Sequence, residues 1–351
     1  MAPCCMITNL DNVKHTSPSD FWQGNKITEI RNAMLAGELV SSCSLCYREE
    51  STIGKSMRVE SWRDHGIDDN TDIVELVQGP RYLARTFPNR LEFHLGNLCN
   101  LKCLTCNPRD SSSFLSENRL LKISNEKQSD YEIDKSTVDQ VIHTALEQGL
   151  EILDLRGGET MLMPVLKQVL SELPPNHSIR TLRLQTNCTV LDDFWKQMLS
   201  TFESVEIMLS IDAHGTDNNY IRYPSHWEDI ERTVDYFLSC NNMKLYVNCT
   251  VSNLNFLLLP KLIDWCRSKN LYFHYSVCTH PRHYSYTNMP PELFQQAQQQ
   301  LVDYPEVRPF QTQANNQHWD EFCAMVDTRD KHRGNCIFDI LPQYKPYWIT
   351  K

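Results

Sequence analysis

No run of eighteen or more apolar residues occurs in this sequence, so nothing in it reads as a transmembrane helix. The opening residues "MAPCCMITNLDN" carry neither a basic stretch nor an apolar one, and no signal peptide is legible there. Surplus basic charge is missing too, since 34 Lys and Arg stand against 44 Asp and Glu, a formal net charge of −10. Phosphate contacts need clustered Lys and Arg, so nucleic acid is not an expected partner, and neither is a membrane. The expected compartment is the cytosol. In that reducing setting the 14 cysteines point to metal binding or catalysis rather than to a disulfide framework.

With 351 residues, 41% of them apolar, the chain has room for one large domain or a domain with an appendage. Before about residue 85 its pattern is irregular, with one helix expected in "SDFWQGNKITEIRNAMLAGEL". Ser19 would cap it, Ile27, Ile30, Met34 and Leu35 fall at helical spacing, and Gly37 would stop it.

From residue 90 onward, strand-like runs alternate with helical patterns. The runs are "RLEFHLGN", "EILDLRG", "TLRLQTN", "SVEIMLSID", "KLYVNCTV" and "LYFHYSVC". Helical patterns lie around residues 135–148, 162–173, 191–202, 226–240 and 256–268. This alternation predicts an α/β fold of βαβ units on a parallel sheet, with strands apolar on both faces. Periodicity leaves open whether the sheet is a partly closed barrel or an open doubly wound one. In both, ligands sit at the carboxyl ends of the strands. Polar and glycine-containing motifs do follow the strands: "GNLCNLKC", "RGGET", "TNCT", "SIDAHG" and "TVSNLN". Beyond residue 305 there is little periodicity.

Cys99, Cys103 and Cys106 fall within eight residues. A structural zinc site wants four ligands, and a distant Cys or His could complete one. An iron–sulfur cluster is the other reading, and with three thiolates one iron keeps an open position for an outside ligand. Plainer readings exist for the neighbours. Gly157 and Gly158 suit a strand-to-helix turn, Asp212 suits an N-cap, Asn187 suits a turn, and His94 suits a packed strand position.

Taken in order, these motifs resemble the radical SAM superfamily, over most of residues 88–280. "CNLKCLTC" resembles its cluster loop, and "RGGET" its GGE motif. "LSIDA" and "VNCTVSNLN" resemble the fourth- and fifth-strand segments, and "YIRYPSHW" the R-x-x-x-x-W stretch of the SPASM/twitch subgroup. The resemblance implies a partial (β/α)6 TIM-like barrel over 86–305. It also implies a [4Fe-4S] cluster on Cys99, Cys103 and Cys106 that binds S-adenosylmethionine at its open iron. Reductive cleavage would give a 5′-deoxyadenosyl radical that takes hydrogen from a substrate. Gly157, Gly158, Glu159, Asn187, Ser210, Asp212, Arg222, Asn248 and Val251 are then the expected cofactor-binding residues.

"PCC" and "SSCSLC" supply Cys4, Cys5, Cys43 and Cys46. They resemble a small irregular twitch-like domain, here over 1–85, that holds an auxiliary iron–sulfur cluster. The pattern usually has a further cysteine upstream of "PCC", which this sequence does not include; Cys5, Cys323 or Cys336 could stand in, or no fourth protein ligand is used. Residues 306–351 would be a tail packing on the barrel. Cys188 and Cys278 are candidate hydrogen-atom donors at the barrel mouth, although each also reads as a small buried hydrophobe. Tyr275, His280, His283 and Tyr284 are expected at the same rim. The resemblance implies an enzyme whose substrate is a peptide or protein (epimerised, cross-linked or oxidised), or else a small metabolite such as a sugar or nucleotide. Flavodoxin or ferredoxin would supply the electron. The competing class is a non-catalytic zinc or iron–sulfur protein.

Overall fold

The computed structural model describes residues 15–53, then positions 56, 58, 59, 61, 67 and 71, and then 87–123, 131–307 and 313–349. The chain divides into two compact units, Met1–Leu91 with Asp134–Glu151, and Glu92–Ile133 with Ile152–Lys351.

In the first unit the expected single helix is two, Pro18–Gln23 and Asn25–Leu35. Gly24 takes an extended conformation between them, and Ser17 rather than Ser19 is the cap, its hydroxyl accepting from the Asp20 N–H at 3.0 Å. A Cβ on Gly24 would stand 2.8 Å from the Asp20 carbonyl, so the break is a close backbone approach that apolar spacing does not encode. Ile27 is buried, whereas Met34 and Leu35 are exposed.

Six strands form one sheet: β1 (Arg90–His94), β2 (Ile152–Arg156), β3 (Thr181–Thr186), β4 (Ser204–Ser210), β5 (Met243–Val251) and β6 (Tyr272–Val277). They lie in the order β1-β2-β3-β4-β5-β6, and the pairs from β2 to β6 are parallel. Strand order decides what periodicity left open. A doubly wound sheet reverses direction at a switch point, and this one never does. Right-handed crossovers that always step the same way put their helices on one face and curl the other inward, as in a partial (β/α)6 barrel.

The strands are therefore not apolar on both faces. Leu182 and Leu184 of β3, with Val205, Ile207 and Leu209 of β4, are buried. Their alternates form a polar face, with Asp154, Arg183, Glu206 and Lys244 in register across β2 to β5. Arg183 pairs with Glu206 at 2.6 Å, and Arg156 lies 3.3 Å from both Glu92 and Asp154. A face without helices has no apolar layer to meet, so it is charge-paired instead.

The carboxyl-terminal region expected to lack periodicity contains a fifteen-residue helix, Trp319–Arg333, closed by Gly334 at φ +69°. No described helix is long and apolar enough to cross a membrane.

Candidate cofactor site

Beyond β1 and β2 the two chains stay paired. Leu95 N–H donates to the Arg156 carbonyl, Gly158 N–H to Gly96 and Glu159 N–H to Leu98, at 3.1, 3.0 and 2.7 Å. The "RGGET" turn is thereby laid directly on the residues that precede Cys99. A Cβ on Gly158 would stand 2.7 Å from the Asn97 carbonyl carbon and closer still to the Leu98 oxygen. Glycine is required here by the meeting of two loops, which is more specific than a generic turn. Gly158→Ala should lose about 1–3 kcal/mol of stability in thermal unfolding, because only backbone could move to relieve the clash. An unchanged melting temperature would refute this packing.

The loop 99–106 packs against residues 221–223, with Cys99, Leu101, Cys103 and Leu104 buried. Lys102 N–H donates to the Tyr223 carbonyl at 2.6 Å and Leu104 N–H to Ile221 at 2.9 Å. These two bonds bracket one pair of residues and place Arg222 opposite Cys103. Serine hydroxyls hold the other edge, with Ser111 donating to the Leu101 carbonyl and Ser113 to the Cys99 carbonyl, both at 2.7 Å. Cys99 and Cys103 are buried and Cys106 half-buried. Burial, and then the neighbouring Cys103, push the Cys99 thiol up to about 12. Loading a metal there must displace protons. Among the described residues no three His, Cys, Asp or Glu side chains are grouped to hold a single ion. A cluster asks for a different arrangement, because each iron takes its own thiolate.

Arg222 is half-buried, and its Nη1 donates to Asp212 Oδ2 at 2.8 Å. The other Asp212 oxygen accepts from the Thr250 N–H at 2.8 Å, which ties the end of β4 to β5. Arg222 Nε is buried and has no hydrogen-bond partner among the described residues. Burial alone would favour a neutral guanidinium, but the facing Cys103 and Asp212 outweigh it and hold the group charged. A charged donor left open beside three cysteines fits an anionic ligand held at a metal there.

Glu159 is 1% exposed and caps its own turn, accepting from the Met161 N–H at 3.1 Å. The same Oε1 accepts from the Thr186 hydroxyl at 2.8 Å, while Oε2 accepts from the Asn187 N–H at 2.6 Å. Burial raises its pKa in spite of these donors. Asn187 reaches back to the cysteine loop through Asn100 at 2.9 Å and accepts from the Thr189 hydroxyl at 2.7 Å. Gln185 donates to Ser210 Oγ at 3.0 Å, and Asn248 Oδ1 meets His274 Nδ1 at 3.1 Å. Val251 is buried, its carbonyl accepting from the Cys278 N–H at 2.8 Å.

Several placements differ from those expected. Cys188 is wholly buried, which meets its plainer reading as a small hydrophobe and not the one at a mouth, at φ +64°, a conformation glycine adopts freely. Cys278 is buried too, and burial pushes its thiol up to about 11. His94 is not packed: its side chain is 57% exposed, 3.0 Å from Glu92, on the face without helices. Of the rim residues, His280 is exposed, whereas His283 and Tyr284 are buried with ring centroids 4.4 Å apart. Cys43 and Cys46 are buried near the start of the helix Ser44–Ile53, Cys43 packing on Val40. Cys4 and Cys5 lie outside the described residues. The twelve described cysteines form no disulfides among themselves.

Two arginines went unnoticed in the sequence. Arg333 Nη2 donates to the Lys102 carbonyl at 2.6 Å and to Glu117 Oε2 at 2.7 Å. Its Nε donates to Glu117 Oε1 at 3.0 Å. Arg329 also pairs with Glu117 and donates to Asn118 Oδ1 at 2.6 Å. The helix Trp319–Arg333 thus closes on the cysteine loop and on the helix Ser112–Leu120. Arginine at positions 329 and 333, four apart, was the signal available, but a buried charged pair breaks apolar periodicity.

No family model matches the chain. It is 19% identical over 216 residues to "Molybdenum cofactor biosynthesis protein 1" of Dictyostelium discoideum, covering 59% of this chain and 32% of that protein. Among solved structures, native anSMEcpe with bound AdoMet aligns with TM-score 0.45 and 19% identity over 70% of this chain and 62% of that one. SuiB of Streptococcus suis aligns with TM-score 0.42 and 15% identity, over 70% and 53% of the two chains. The chain therefore spans about a third of the curated relative and less than two thirds of either solved chain.

Proposed function

We propose that this chain is a radical SAM enzyme, with Cys99, Cys103 and Cys106 as ligands of a [4Fe-4S] cluster whose fourth iron takes S-adenosylmethionine. When bound, that pair supplies one-electron cleavage to a 5′-deoxyadenosyl radical, which abstracts hydrogen from the substrate. Arg222 carries the reading, because it is a half-buried guanidinium set opposite Cys103 whose inaccessible Nε is still open. It would hold the carboxylate of the bound amino acid. Glu159 Oε2, which accepts one hydrogen bond, is the oxygen for its ammonium. Gly157 and Gly158 lay the turn on the loop, and Asn187 braces it. Asp212 holds Arg222 in place, and Ser210, Asn248 and Val251 at the ends of β4 and β5 would face the nucleoside.

The sequence resemblance further supports a peptide or protein substrate and an auxiliary cluster on Cys43, Cys46, Cys4 and Cys5 in a twitch-like region over 1–85. It also supports a flavodoxin or ferredoxin as donor and a cytosolic site. Cys188 and Cys278 would serve as hydrogen-atom donors to a substrate radical when the rim opens to them. The likeness to a protein named for molybdenum cofactor biosynthesis favours a second reading, a small-metabolite substrate.

Anaerobic reconstitution with iron and sulfide, followed by dithionite and S-adenosylmethionine, should release 5′-deoxyadenosine, and Cys103→Ser should abolish it. A fully iron-loaded protein that releases none refutes the radical reading. Mass spectrometry of a peptide encoded beside the gene, with deuterium uptake to catch epimerisation, separates the two substrate classes.

A further inference from the structure

The peptide group of Lys102 is held at both ends by different parts of the chain. Its N–H donates to the Tyr223 carbonyl at 2.6 Å, and its carbonyl accepts from Arg333 Nη2 at 2.6 Å. Lys102 lies between Cys99 and Cys103, and Tyr223 follows Arg222. The Arg333 guanidinium also lies 4.9 Å from the centre of the Tyr223 ring. One buried group therefore touches the cysteine loop, the segment bearing Arg222 and the Glu117 carboxylate. We propose that Arg333 is a positioning residue, which fixes residue 102 against residue 223 and so sets the cysteine triplet against Arg222.

The inference rests on the iron–sulfur reading of that loop. Its physical basis is the planar fork of arginine, which can grip a carboxylate with two N–H groups and a carbonyl at the same time. Lysine keeps the charge but is a single point on a flexible stem. Its one nitrogen cannot reproduce the Nε and Nη2 bonds to Glu117 together with the bond to the Lys102 carbonyl. Arg329 is the internal comparison, since its hydrogen bonds run to Glu117 and Asn118, away from residues 99–106. Changing it disturbs the same buried carboxylate without touching the loop.

The experiment uses the full-length, iron-loaded protein and follows release of iron to a ferrous chelator. Arg333→Lys should release iron about tenfold faster than wild type or more, through loss of a charge-assisted hydrogen bond. Arg329→Lys should stay within about twofold, even where its melting temperature falls as far. The electron paramagnetic resonance signal of the reduced protein should change shape in Arg333→Lys and keep it in Arg329→Lys. Should Arg333→Ala prove insoluble, the lysine pair still decides the matter. Wild-type retention in Arg333→Lys, or equal loss in Arg329→Lys, overturns the positioning role. A wild-type protein that takes up no iron overturns instead the reading beneath it.

Discussion

Replacing Arg222 with alanine is expected to lower stability by about 3–5 kcal/mol and to weaken S-adenosylmethionine binding at least about tenfold, while iron content stays near that of wild type. The three effects have separate causes. Stability falls because Asp212, 1% exposed, would keep its Thr250 bond but lose its ion-pair partner Arg222. A buried carboxylate deprived of its cation carries most of its desolvation penalty uncompensated. Ligand affinity falls because the open Nε donor goes with the side chain. Iron should remain because residue 222 is held opposite Cys103 by main-chain bonds from Lys102 and Leu104, which a side-chain deletion leaves in place. Asp212→Asn in the same chain should restore part of the stability and none of the affinity, a coupling that a double-mutant cycle measures. If calorimetry found unchanged affinity in the alanine variant, Arg222 would be a structural cation and no more.

Legibility along the sequence followed the physical origin of each feature. The six strands came through because runs rich in Val, Ile, Leu and Tyr end at polar motifs, and every motif does follow a strand end. Which way the sheet winds is a property of strand order, and no local pattern encodes it. Cys99, Cys103, Cys106 and the "RGGET" turn were legible as neighbours in sequence; that the turn lies on the loop, through bonds from Gly158 and Glu159, was not. The helix Trp319–Arg333 was missed for a related reason. Its buried positions include Arg329 beside Trp319, Phe322, Cys323 and Val326, and its partner helix buries Glu117 and Asn118 beside Phe114 and Leu115. Helices that meet through charge look exposed when only apolar spacing is counted. Gly24 shows the converse, a helix pattern that continued across a residue whose backbone does not.

Glu117→Gln is expected to have the other large effect, a loss of about 3–5 kcal/mol, or roughly 6–20 °C in melting temperature for a unit of this size. Glu117 is buried and accepts from Arg333 at 2.7 and 3.0 Å as well as from Arg329, with His332 at 4.0 Å. An amide keeps the shape but leaves two buried guanidinium groups without a countercharge. The pH dependence gives the sharper test. Burial works to raise the carboxyl, but Arg333 and Arg329 outweigh it, so its folded pKa lies below the ordinary 4.5. A carboxylate with a depressed folded pKa stabilises fully above its unfolded value, and that contribution fades as pH falls through the folded one. The gap in stability between wild type and Glu117→Gln should therefore be flat above about pH 5 and close progressively below about pH 4.5. Glu159, which burial shifts the opposite way, is present in both proteins and cancels from the difference. A gap that stayed constant down to pH 3 would mean that Glu117 is not the charged partner of the two arginines, and the closure of Trp319–Arg333 on the cysteine loop would need another cause.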